Sequence, residues 1–342
     1  MTILGRDGGT ALADQTGHER AAGPDRHRGR TGAAARVAAA VAGFALMLGG
    51  CGMLTEGGSV APGGVSEPSV RPVRHVEDAP YVALGDSYTA GPAISHQDGK
   101  PSGCRRSSRN YPSVVAEQLG LSGSDAKDVS CSGETAAGLG SPQHVKGGTN
   151  PPQLDALSAK DRLVTIGIGG NDVGYFDVLE TCAKLGVAAQ AIGEAGPQSA
   201  PCRDHYGLDG LDARITEAGR TVAGVLAEIR RRAPRAKVLV VGYPAVFPAS
   251  GGCDNLLLTE GDVAFLRGLE QRLDDELKTT AQAAGDTYVD TYTASQKHDA
   301  CEPADARWVE PLLASGAAPL HPNADGEAAM ADAVLAALRS AS

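Results

Sequence analysis

From about residue 78 onward, two rhythms of apolar positions alternate along the chain. Short unbroken runs read as strands buried on both faces: Tyr81-Val82-Ala83-Leu84, Arg162 to Ile168 (RLVTIGI), Lys237 to Val241 (KVLVV) and Thr287 to Val289 (TYV). Elsewhere apolar residues recur every three or four positions, the spacing of one helix face. Leu211, Ile215, Ala218, Val222, Val225 and Ile229 form such a stripe, ended by Pro234. A second covers Asp262 to Ala284 through Val263, Leu266, Leu269, Leu273 and Leu277. A third covers Asp325 to Leu338 through Met330, Val334 and Leu338. A shorter helix is predicted over Tyr111 to Leu119, with Pro112 in its first turn. Alternating strands and helices, with strands apolar throughout, predict an α/β fold: a three-layer α/β/α sandwich around a central parallel sheet. Ligands bind such sheets beyond the carboxyl ends of the strands. Gly174 to Asp209 breaks the alternation. It holds two Cys and several Gly and Pro, and reads as a disulfide-pinned excursion at the site's rim.

The pattern upstream is different. Arg26, Arg28, Arg30 and Arg36 form a basic flank, and Val37 to Gly50 is an apolar run too short to span a bilayer. Residues 1–50 therefore read as an export signal. The run ends in Leu48-Gly49-Gly50-Cys51, the arrangement of a bacterial lipobox. Lipidation of Cys51 is the expectation, against an ordinary signal peptide with an incidental Cys. Residues 51–77, rich in Gly, Pro, Ser and Glu, read as a flexible linker that lets residues 78–342 stand off a membrane.

Charge and cysteine use narrow the function. The 342 residues are 42% hydrophobic, enough for a sizeable core, and carry a formal net charge of −10. That acidity argues against nucleic acid and anionic membrane surfaces as charge-driven partners, and favours a neutral substrate. Any membrane contact is expected only through the anchor at Cys51. Of seven Cys, six remain beyond Cys51: Cys104, Cys131, Cys182, Cys202, Cys253 and Cys301. An even number in an exported chain reads as disulfides, and six allow fifteen pairings. The competing metal-site reading would prefer tight Cys-x-x-Cys or His-x-x-x-His spacing, and the sequence has neither, so no metal or cofactor is expected. A secreted or cell-surface monomer is the simplest reading.

Four short segments carry candidate chemistry, and each has an ordinary alternative. Gly85-Asp86-Ser87-Tyr88 follows the first strand. A serine there can present its hydroxyl at the sheet's end, although a plain Asp/Ser turn or helix cap uses the same residues. Gly169-Gly170-Asn171-Asp172 follows the second strand. Asn171 can aim its amide into the crevice as an oxyanion donor, or simply occupy a turn. Cys131-Ser132-Gly133-Glu134-Thr135 lies between those strands, where Gly133 can offer an unhindered N–H or a flexible turn. Leu320-His321-Pro322-Asn323 precedes the last helix and puts His321 where a general base would sit.

In this order, the four segments resemble the blocks of the SGNH, or GDSL, hydrolase family over about residues 78 to 340. Ser87 matches the family's nucleophile, Gly133 and Asn171 its oxyanion-hole residues, and His321 its histidine. The resemblance implies a flavodoxin-like SGNH fold. It also implies a carboxylic ester hydrolase of the esterase or lipase type, acting on an acyl-ester or lipid substrate. The six Cys resemble those of exported actinobacterial esterases and lipases, which implies the pairs Cys104–Cys131, Cys182–Cys202 and Cys253–Cys301. One departure stands out. The family's last block usually reads Asp-x-x-His, and here Ala318 occupies the Asp position. The resemblance then implies a Ser–His dyad oriented by a backbone carbonyl, that of Ala318 or Pro319, with Ala318 preferred. Asp290, Asp299 and Asp305 are less favoured substitutes. In the expected reaction the oxyanion rests on the Ser87 and Gly133 N–H groups and the Asn171 side chain. His321 would titrate near ~6.5 if unperturbed. Three rivals are a carbohydrate O-deacetylase built on the same residues, acyl transfer to an alcohol, and a non-catalytic surface lipoprotein that binds a ligand.

Overall fold

The computed structural model describes residues 80–340 apart from 197 and 314. The export signal, Cys51 and the 51–77 linker lie outside the described residues. In chain order the elements are β1 (Tyr81–Gly85), α1 (Ser87–Ala90), α2 (Tyr111–Gln118), β2 (Ala126–Asp128), β3 (Gln143–Val145), β4 (Gly148–Asn150), β5 (Leu163–Gly167), α3 (Gly170–Val173) and α4 (Tyr175–Ala191). They continue through α5 (Pro201–Tyr206), α6 (Asp209–Arg232), β6 (Lys237–Val241), α7 (Glu260–Ala283), β7 (Thr287–Val289), α8 (Tyr292–Ser295) and α9 (Ala324–Ser340).

Five strands form one sheet in the spatial order β2-β1-β5-β6-β7, parallel at every junction. In terms of strand sequence this is the 2-1-3-4-5 order of the flavodoxin-like fold, whose ligand crevice opens where the order reverses, at β1 and β5. The side-chain period of two divides each strand between two cores. Val82 and Leu84 pack with the stripes of α6 and α7, such as Val222, Leu226, Leu269 and Leu273. Tyr81 and Ala83 pack with α2 and α9, through Tyr111, Val115, Met330 and Val334. Both faces of the sheet are thus covered, which is why its strands lack the polar alternation of a half-wet sheet. Among the described residues no helix is long and apolar enough to cross a membrane.

Three parts differ from the sequence expectation, one of them the separate antiparallel pair of β3 and β4. The edge strand β2 escaped notice because Ala126-Lys127-Asp128 has no apolar run; its backbone pairing with β1 makes it a strand. The segment from Gly174 to Asp209 contains the 17-residue helix α4 and the short α5. The buried face of α4 is Val178, Leu179, Cys182, Gly186 and Ala189, too small-sided for a clear stripe. Phe176 and Val187, about half exposed, blur it further. Cys182 in α4 is bonded to Cys202 in α5, and buried Asp262 of α7 accepts the N–H groups of Cys202 (3.1 Å) and Arg203 (3.0 Å). The other bridges are Cys104–Cys131 and Cys253–Cys301, so the structure contains the three pairs that the family resemblance implies.

Gly85 ends β1 where the chain turns into the site. Its φ of +156° and its crowding both require glycine: a Cβ there would lie 2.2 Å from Thr89 Oγ1 and 2.7 Å from the Gly167 carbonyl. Gly85→Ala is therefore expected to destabilise the fold by at least the about 1–3 kcal/mol typical of overpacking. The urea midpoint measures this, and an unchanged midpoint would mean that the β1–α1 turn is looser than described.

Candidate active site

Ser87 is the first residue of α1, immediately beyond β1. Its placement follows from Asp86, which is buried and caps the helix. One Asp86 oxygen accepts the Tyr88 N–H (2.9 Å), and the other accepts the Tyr243 hydroxyl (2.6 Å). Tyr243 in turn accepts the Gly170 N–H (2.9 Å), so the ends of β1, β5 and β6 are tied through one phenol. Burial pushes the Asp86 carboxyl up to about 7, against the opposing effect of the bonds from Tyr243 and Tyr88. On the other side, the carboxamide of buried Gln153 grips Gly85. It accepts the Gly85 N–H (2.8 Å) and donates to the Gly85 carbonyl (3.0 Å).

His321 arrives from the loop before α9. Its Nε2 lies 2.7 Å from Ser87 Oγ, and its Nδ1 lies 2.7 Å from the Pro319 carbonyl. A carbonyl only accepts, so Nδ1 carries the proton and Nε2 presents a lone pair to the serine hydroxyl. The Tyr88 ring packs against the imidazole with centroids 4.7 Å apart, and its hydroxyl donates to the Leu320 carbonyl (2.5 Å). Tyr88 thus holds both the ring and the turn that delivers it.

The third part is the 131–137 loop. Gly133 has φ +79° and open space around its Cα, which a side chain would restrict. Asn171, in α3, donates its amide to the Glu134 carbonyl (2.8 Å). Asp172 beside it accepts the N–H groups of Ala136 (2.8 Å) and Ala137 (3.4 Å). The β5–α3 junction therefore pins the loop that carries Gly133. Among the described residues, neither the Ser87 nor the Gly133 backbone N–H donates to a protein acceptor. Both residues line, with Asn171 and His321, one cavity of about 310 Å³. Its remaining wall is largely apolar, from Tyr88, Tyr175, Phe176, Leu179, Leu273 and Leu320. The four segments singled out in the sequence thus meet at the carboxyl end of the sheet.

A model of the GDSL-like lipase/acylhydrolase family matches residues 83–329, a span that holds all four segments. The chain belongs to this family. Lipase 2 of Streptomyces coelicolor is 38% identical over 257 residues, covering 74% of this chain and 83% of that protein. Among solved structures, phospholipase A1 of Streptomyces albidoflavus NA297 is 26% identical, with a TM-score of 0.62 over 77% of this chain and 99% of that one. The extracellular lipase of Streptomyces rimosus is also 26% identical, with a TM-score of 0.57 over 77% and 100%.

Within the family's usual last block, the preference for Ala318 needs correction. The Ala318 carbonyl already accepts the backbone N–H of His321 (3.2 Å), closing a turn over residues 318–321. Pro319 at its second position and Leu320 in the left-handed region (φ 58°) at its third are the signature of a type II turn. Nδ1 meets the Pro319 carbonyl instead. No aspartate substitutes. Asp290 accepts the Thr293 N–H and hydroxyl, Asp299 accepts the Cys301 N–H, and among the described residues no carboxylate bonds to His321. Asp86, Tyr88, Gln153, Asp172 and Tyr243 were not foreseen as parts of the site. Asp86, Tyr88 and Asp172 adjoin foreseen residues, whereas Gln153 and Tyr243 leave no sequence signal beyond their identity.

Burial around the imidazole lowers the pKa of His321 from 6.5 to about 4; the bond to Pro319 opposes the shift and the charge of Arg105 adds to it. The shift favours the neutral ring, whose Nε2 is free to accept.

Proposed function

We propose that this protein is an exported serine esterase or lipase in which Ser87 and His321 form a catalytic dyad. Ser87 Oγ attacks the carbonyl carbon of a carboxylic ester as its proton passes to His321 Nε2. The resulting oxyanion is held by the Ser87 and Gly133 N–H groups and the Asn171 carboxamide. The imidazolium then protonates the leaving alcohol. A water attacks the acyl-serine, again giving its proton to Nε2, and the acid departs with Ser87 restored. The observation that supports this most is the 2.7 Å approach of Oγ to Nε2, with Nδ1 fixed on the Pro319 carbonyl. Family membership supports ester hydrolysis as the reaction class. The steps as written need no metal or cofactor.

The apolar wall of Tyr175, Phe176, Leu179 and Leu273 favours acyl chains longer than acetate, which argues for an esterase or lipase over a carbohydrate deacetylase. Export rests on the 1–50 leader and on three disulfides, bonds that persist in oxidising compartments. A lipid anchor at Cys51 followed by the 51–77 linker gives a cell-surface enzyme, acting as a monomer through the 78–342 domain.

A fluorophosphonate probe tests the reading directly. Peptide mass mapping is expected to find the adduct on Ser87, together with turnover of p-nitrophenyl esters from butyrate upward. Labelling elsewhere with Ser87 unmodified would remove Ser87 as nucleophile. The pH dependence is a second check. Because burial depresses His321, kcat/KM should rise with pH through an acid limb near about 4 rather than near ~6.5. A limb at the ordinary histidine value would mean that the ring is more solvated than described.

A further inference from the structure

The inner stripe of α7 is apolar at Val263, Leu266, Leu269, Leu273 and Leu277, and Glu270 interrupts it. Glu270 is only 3% exposed, and it lines the cavity that holds Ser87 and His321, with Leu273 one turn further along. It takes part in no ion pair among the described residues. Arg267, whose charge reaches it, donates instead to the Pro248 carbonyl (3.0 Å). One carboxyl oxygen of Glu270, Oε1, accepts the Val246 N–H (3.0 Å). The other, Oε2, is buried and has no hydrogen-bond partner among the described residues. A leucine or methionine at this position would complete the stripe without that cost, so the orphaned oxygen calls for a partner from outside the chain.

The neighbouring polar groups of the cavity are already committed. The Tyr88 hydroxyl donates to the Leu320 carbonyl (2.5 Å), that of Tyr175 to the Leu266 carbonyl (3.4 Å) and that of Tyr243 to Asp86 (2.6 Å). Arg105 and Asp177 line the cavity too but are exposed to water, and Ser132, whose Oγ is also unpartnered, adjoins Gly133 in the oxyanion loop. Glu270 is therefore the spare polar group on the side closed by α4 and α7. Burial, reinforced by the Asp274 carboxyl one turn on, holds its carboxyl well above the usual range, against the opposing effect of the Val246 bond. The shift favours the protonated acid. Because Oε1 is occupied as an acceptor, the proton belongs on Oε2, which becomes an O–H donor with nothing in the protein to receive it.

A single donor in an otherwise apolar subsite selects for an acceptor at one place along the chain that fills it. We propose that Glu270 Oε2 is the polar contact of the acyl subsite and donates to an oxygen carried within the acyl chain, making esters of oxygenated acids the preferred class. An ether, hydroxyl or keto oxygen would serve, since each offers a lone pair. A plain hydrocarbon chain would instead exclude water from Oε2 and leave it unpaired, which is how a site built around a hydrogen bond rejects an analogue that lacks the partner. This rests on the ester-hydrolase reading above and on its placement of the acyl chain against Tyr175, Phe176, Leu179 and Leu273.

The test compares p-nitrophenyl hexanoate with its isosteres in which an ether oxygen replaces one methylene, placed in turn at each position from the β carbon outward, on the full chain. Ether oxygens are used because hydroxyacyl esters with so good a leaving group can cyclise. The readout is the ratio of kcat/KM for each ether ester to that for hexanoate, scaled by the same ratio for hydroxide-catalysed hydrolysis to remove the inductive effect of the oxygen. In a wholly apolar pocket every oxygen costs desolvation, so every scaled ratio falls below unity. The wild type should instead exceed unity at one position. There its ratio should be about three- to tenfold above that of Glu270→Met, the scale of one neutral hydrogen bond. Glu270→Gln keeps an acceptor for the Val246 N–H and puts an amide donor in place of Oε2, so it should keep the preference. Wild-type ratios below unity at every position overturn the proposal without recourse to a variant, as do equal ratios in wild type and Glu270→Met; turnover of hexanoate leaves the hydrolase reading standing in both cases. A wild type that cleaves none of these esters overturns both.

Discussion

Ser87→Ala and His321→Ala are each expected to lower turnover of p-nitrophenyl butyrate by roughly 10⁴–10⁶-fold while the protein stays folded. The scale comes from serine hydrolases of the same logic, where loss of nucleophile or base costs ~10⁶ in kcat and the residual rate comes from binding and the oxyanion hole. The two losses should not add in the double variant, because in the proposed dyad serine and histidine act in one step. Stability should hardly change. Ser87 starts α1 through its backbone, and the cap is supplied by Asp86, which neither substitution touches. His321 is only partly buried, and its turn is held by Tyr88 and by backbone bonds that alanine keeps. Thermal unfolding separates the two kinds of loss. An inactive variant with the wild-type melting temperature supports the chemical roles, whereas wild-type turnover in Ser87→Ala would reassign the nucleophile.

Much of this arrangement was legible in the sequence, for a definite reason. A parallel sheet buried on both faces leaves uninterrupted apolar runs, and the residue after each run stands at the crevice. Ser87 and Asn171 were located by following β1 and β5 to their ends, without knowledge of the strand order. What stayed hidden were contacts between segments remote in sequence. Gln153 reaches back to Gly85, and Tyr243 links Asp86 to Gly170; neither pairing follows any local period. The choice of Pro319 over Ala318 depended on the left-handed φ of Leu320, a conformation its side chain does not advertise. The lowered pKa of His321 likewise arises from packing by other segments.

Asn171→Ala is expected to reduce kcat by about 10²–10³-fold with KM little changed, measured by steady-state kinetics on a p-nitrophenyl ester. The magnitude is that of one oxyanion donor removed from a preorganised site. Its assignment to kcat follows because the negative oxygen exists only in the transition state, so a donor aimed at it adds little to ground-state binding. Asn171 has a second task, since one of its two amide hydrogens already bonds the Glu134 carbonyl (2.8 Å) and steadies the loop bearing Gly133. Alanine loses both functions, although Asp172 still grips Ala136 and Ala137 and limits the slack. Asn171→Asp is the sharper variant. It keeps the shape, but a carboxylate cannot donate to Glu134 and repels the developing oxyanion, so it should be slower than the alanine variant near neutral pH. Equal rates for the two would argue against a charge-stabilising role, and a loss confined to KM would make Asn171 a substrate-binding residue instead.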